Sequence, residues 1–130
     1  MAALTLEAQR ADVRATTIQA FFEVLIAQER VQVAEASQSI AVSGADAVAR
    51  RVTAGKVSPV EETRARVAAS TARIELRQAQ ADLAAALKVL SAVMGQPQGA
   101  VTRVEGAPEA LPRLPDPGML ADRIQASPVL

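Results

Sequence analysis

The amino-acid sequence predicts an all-α fold: one long antiparallel coiled-coil helical hairpin followed by a Pro-rich C-terminal extension. Three observations lead there. Good helix formers run almost unbroken from Leu4 to Val52, and again from Pro59 to about Met94. Between the runs lies a short segment with a helix-stop signal on one side and a helix-start signal on the other. Within both runs small and aliphatic residues recur every seven positions, the spacing of a coiled-coil seam.

The first helix, about residues 4–52, is interrupted in composition only by Gly44. At about 1.5 Å per residue it would be roughly 70 Å long. Arg50 and Arg51 fall in its last turn, where cations complement the helix dipole, and Thr53-Ala54-Gly55 ends it. The turn covers residues 53–58. Ser58-Pro59-Val60-Glu61 then opens the second helix with an N-cap serine, a proline at the first helical position and a glutamate placed to complete a capping box. That helix ends at about residue 94, with Gly95 and Pro97 just beyond.

Seven-residue rows give the packing. Val24, Val31, Gln38, Ala45 and Val52 form one row of the first helix, and Ala20, Ala27, Ala34, Ala41 and Val48 its companion. Ala69, Leu76, Leu83 and Leu90 form one row of the second helix, and Ala65, Ala72, Ala79, Ala86 and Val93 the other. Folding the chain at Lys56-Val57 sets small residues against small ones: Ala27 against Ala86, Ala34 against Ala79, Ala41 against Ala72. Val31 then lies opposite Leu83, and Val24 opposite Leu90. Each helix has a second apolar stripe on its far side: Ile26, Val33, Ile40 and Ala47 on the first, Val60, Val67, Ile74 and Ala81 on the second. A solitary hairpin leaves these stripes in water, and exposed apolar stripes mark interfaces. Either a four-helix bundle completed by other chain or a wall of helices packed on both sides would cover them.

Composition excludes several function classes. Fourteen basic residues balance fourteen acidic ones, so there is no basic excess of the kind a nucleic-acid surface needs. His and Cys are absent, which removes the commonest general base and the usual transition-metal ligands. Met1, Met94 and Met119 are too scattered for a thioether site, and the six glycines are too isolated for a phosphate loop. Glu61 and Glu62 read as solvated charges on a helix surface. No catalytic, cofactor or tight metal site is expected. Aromatics are only 2% of the chain, so the apolar half is Ala, Val, Leu and Ile, which suits closely packed helices. No run of about 20 apolar residues could span a membrane as a helix. Neither a signal peptide nor alternating ten-residue strands of a membrane β-barrel can be read in the chain.

After the hairpin, residues 1–95, the character changes. Residues 96–118 contain Pro97, Pro108, Pro112, Pro115 and Pro117 with Gly99, Gly106 and Gly118, and read as an extended connector with little regular structure. Residues 119–130 read as the start of a further helix, so the chain reads as a fragment.

These residues resemble the periplasmic part of TolC-family outer-membrane efflux proteins. The features that match are A-F-F-E-V-L-I-A-Q (20–28), the turn R-R-V-T-A-G-K-V-S-P-V-E-E-T-R-A (50–65), the helix R-I-E-L-R-Q-A-Q-A-D-L-A-A-A-L-K-V-L (73–90) and the stop V-M-G-Q-P (93–97). The run G-K-V-S-P-V-E-E-T-R-A-R-V-A (55–68) is most similar to the CzcC-type heavy-metal efflux channels. The closing L-A-D-R-I-Q-A-S-P-V-L (120–130) resembles the opening helix of the family's second repeat. The resemblance implies a trimeric parent with a β-barrel in the outer membrane and an α-barrel across the periplasm. This chain would supply one coiled-coil pair of that wall and none of the strands.

The partners so implied are a periplasmic adaptor (membrane fusion) protein and an inner-membrane pump of the resistance–nodulation–division type, in a tripartite exporter of divalent heavy metals. In the family the tip turn meets the adaptor, which by position makes Val52, Gly55, Lys56, Val57 and Ser58 the adaptor-contact residues. The same five residues also make an ordinary helix–turn–helix. The isolated chain is expected to self-associate, as a dimer or another oligomer, or to fray at its first turns. Two alternatives share the architecture: the α-hairpin of an adaptor protein, and a scaffold or signalling coiled coil.

Overall fold

The structure is a computed structural model that describes residues 2–97 and 99–106, with side chains from Thr5 onward. Two α-helices make up the described regular structure, α1 (Ala2–Thr53) and α2 (Pro59–Val93), packed antiparallel. No strand occurs among the described residues. The bounds fall within two residues of those read from the sequence. The helix expected over 119–130 and the distal part of the connector lie outside the described residues. At about 1.5 Å per residue, α1 is roughly 78 Å long and α2 about 52 Å. Threonines are accommodated in the helices by bonding one turn back: the Thr16, Thr17 and Thr71 hydroxyls donate to the carbonyls of Asp12, Val13 and Val67.

Every member of the four seam rows is buried or half-buried. Ala20, Ala27, Ala45, Ala69 and Ala72 are buried, and Val24 and Leu90 are almost wholly enclosed. The register also agrees. Val24 and Leu90 share one core cluster, Ala27 and Ala86 line one groove, and Val31 and Leu83 another. Along the seam, rows of alanine run beside rows of Val and Leu. Burial of each residue is small in area, so the hairpin depends on the length of the seam rather than on any one large side chain.

The far-side stripes are in solvent. Val33, Ile40, Val67 and Ile74 are 65%, 73%, 61% and 67% exposed. α1 also outruns its partner: residues 5–16 are exposed throughout, and enclosed positions begin at Ala20. At the level of Ala20–Leu25 the seam is reinforced from a third direction. The chain leaving α2 does not depart as a free connector but returns against the helices. Val101 and Val104 pack onto the cluster of Ala20, Val24, Leu25 and Leu90, with Phe21, Leu83 and Leu87 around it. Among the described residues this segment has no regular structure, and through Val101 and Val104 it is part of the core.

Candidate functional site

The loop joining α1 to α2 is built almost entirely by backbone hydrogen bonds. Gly55 has φ +69°, a left-handed conformation that glycine adopts without side-chain cost. Its amide donates to the Val52 carbonyl at 2.9 Å, and the Lys56 amide donates to the Arg51 carbonyl at 2.9 Å. This pair of bonds is the Schellman motif, which satisfies carbonyls left free at a helix end. The same arrangement closes α2, where Gly95 (φ +66°) donates to Ala92 and Gln96 donates to Ser91. α2 begins with Ser58 in an extended conformation, its hydroxyl accepting from the Val60 amide at 3.3 Å, and Pro59 in the first turn.

One expected feature of this start is absent. Glu61 does not complete a capping box by reaching back to the Ser58 amide. Its carboxylate instead accepts from Arg64 at 3.0 Å, one turn further along α2. Ion pairing with a guanidinium placed three residues on competes successfully for that carboxylate.

The five tip residues identified from the sequence are contiguous in space but not equivalent. Gly55, Lys56 and Ser58 are exposed, whereas Val52 and Val57 are half-buried. Val52 is the last member of its seam row. Val57, which the turn's backbone chemistry does not require, is nonetheless partly covered, so it contributes packing as well as surface. Lys56 gives its amide to the turn and leaves its ammonium in solvent. The tip is also locally basic. Glu61 pairs with Arg64 and Glu62 with Arg66, while Arg50, Arg51 and Lys56 are exposed and have no carboxylate partner among the described residues.

Elsewhere the described residues form open grooves. One of about 390 Å³ lies between Asp46 and Ala49 on α1 and Arg66 and Arg73 on α2. No group of three or more His, Cys, Asp or Glu side chains is placed to hold a metal ion among the described residues. None of the described helices is long and apolar enough to cross a membrane. The described helices present two apolar flanks and a basic, glycine-capped tip.

The chain is 45% identical over all 130 residues to the cobalt-zinc-cadmium resistance protein CzcC of Cupriavidus metallidurans, and spans 31% of that relative's length. No solved structure matches it. Residues 1–96, which include the whole hairpin and its tip, match the family described as outer membrane efflux protein, and the chain belongs to that family.

Proposed function

We propose that this chain is a periplasmic coiled-coil segment of an outer-membrane efflux channel, a wall element of the conduit in a tripartite exporter of divalent heavy metals. Identity to a cobalt-zinc-cadmium resistance protein along the full chain carries this reading. The form of the hairpin supports it. A wall of helices needs each one to be apolar on two sides, and both helices have a buried seam and an exposed far-side stripe. Acting as a wall requires no chemistry, in keeping with a seam made almost wholly of aliphatic side chains. Ions would pass without a tight site here, since carboxylates without His or Cys hold such cations weakly.

In this proposal the tip docks the periplasmic adaptor protein, which links the channel to the inner-membrane pump, with Lys56 and Val57 as the contact side chains. Val52, Gly55 and Ser58 shape the turn that presents them. Lys56→Glu is the discriminating change, because Lys56 is exposed and its side chain has no partner among the described residues. It should leave hairpin stability within roughly 0.5 kcal/mol, as for ordinary surface substitutions. In the full-length protein it should weaken adaptor binding and lower metal resistance. Val57→Asp should do the same, with a larger effect on melting because Val57 is half-buried. Unchanged melting together with unchanged adaptor binding and resistance would remove the tip as a docking site.

A further inference from the structure

We propose that residues 99–106 form a strap latched by Gln28, which closes the open end of the hairpin and fixes where the chain beyond Gly106 begins. Four observations converge on this. The side-chain amide of Gln28 makes both bonds that a neighbouring strand would make with Val104: Nε2 donates to the Val104 carbonyl at 2.9 Å, and Oε1 accepts from the Val104 amide at 3.0 Å. Val104 itself is 8% exposed and belongs to the core cluster. Gly106 lies so close to α1 that a Cβ there would stand 3.1 Å from Leu25 Cδ1 and 3.5 Å from Phe21 Cζ. Between these points the path is defined on α2 as well, since Gly99, Val101 and Thr102 share a groove with Ala84, Leu87 and Lys88.

The path therefore reverses. From the end of α2 the chain runs back along that helix until Thr102 and Arg103 reach the groove lined by Gln28, Val31, Gln32 and Leu83. It then crosses to α1 and turns away from the tip over Leu25 and Phe21. Among the described residues the most fully enclosed large side chains, Val24 and Leu90, lie at this end of the hairpin, where the strap crosses. Gln28 is well suited as the latch. A primary amide is the side-chain group that offers a donor and an acceptor side by side, matching the two backbone groups of one extended residue. Those groups would otherwise be left unpaired against an apolar surface, which is costly. Polar bonding supplies the position of the strap, and Val101 and Val104 supply its adhesion.

A control is built into the same groove. Gln32 lies one turn along α1 and lines the groove with Gln28, but makes no hydrogen bond to the strap. Amide hydrogen exchange of the 130-residue chain tests the latch. Gln28→Met keeps the side chain's length while deleting both bonds, and should speed exchange at Val104 by about tenfold or more. Exchange at Ala45 and Ala69, deep in the seam, should stay within about twofold of wild type. Gln32→Met should leave Val104 unchanged. Equal protection of Val104 in wild type and Gln28→Met would overturn the latch. So would a Gln32→Met variant that loosens Val104 as much, because the effect would then be general to the groove.

Discussion

Gly44→Ala and Gly55→Ala are one chemical change made in two backbone conformations, and the structure predicts opposite signs for them. A Cβ added at either glycine meets nothing within 4 Å, so contacts with the rest of the protein do not decide the outcome. Gly44 lies inside α1, where alanine is favoured over glycine by about 1 kcal/mol. Gly55 has φ +69°, where a side chain costs roughly 1–2 kcal/mol. Alanine also restricts the unfolded chain, which returns about 0.4–1 kcal/mol. Gly44→Ala should therefore stabilise the hairpin by about 0.5–1 kcal/mol, and Gly55→Ala should destabilise it by about 1 kcal/mol. For a domain of this size a difference near 2 kcal/mol separates the melting temperatures by roughly 8 °C or more. Far-UV circular dichroism melts of dilute protein would read it directly. If both variants melted above wild type, Gly55 could not be held in a left-handed conformation, and the tip described above would be wrong.

Three further outcomes follow from packing. Ala79→Leu places a large side chain in the thin part of the seam and should cost about 1–3 kcal/mol, whereas Ala81→Leu, on an exposed position, should stay within about 0.5 kcal/mol; equal urea midpoints for the two would refute the register. Ser91 is 1% exposed and its hydroxyl has no partner among the described residues, so Ser91→Ala should be neutral or stabilising by up to about 1 kcal/mol. A clear loss of stability on chemical denaturation would show that the hydroxyl is bonded after all. Finally, the exposed stripes should make the 130-residue chain self-associate, and Ile40→Glu combined with Ile74→Glu should lower its mass in sedimentation. An unchanged mass in the double variant would mean that these stripes are not the surface that associates.

Most of the fold was legible in the sequence because its signals are local and periodic. A Gly stop, a Ser-Pro start and seven-residue rows are each written within a few neighbouring residues. An antiparallel register follows from the position of the turn alone, which is why Val24 could be matched to Leu90 and Ala27 to Ala86. The position of the turn, residues 53–58, was legible for the same reason. The alternatives of an adaptor hairpin or a signalling coiled coil share every one of these signals, so they were separated by the family match rather than by periodicity.

What only the tertiary structure decided is where competing partners meet. Glu61 was in place for a capping box, yet Arg64 takes its carboxylate, a choice between two nearby charged contacts that spacing does not rank. No turn signal in the sequence calls for the Val57 side chain, yet the structure half-buries it. The strap is the clearest case. Val101 and Val104 stand in a Gly- and Pro-flanked stretch with no period, and Gln28 is one polar residue among many on a long helix. Their pairing joins positions 76 residues apart. Such a contact exists only after the hairpin has brought the end of α2 beside α1, leaving an apolar cluster with one side uncovered and an amide beside it to receive the returning chain.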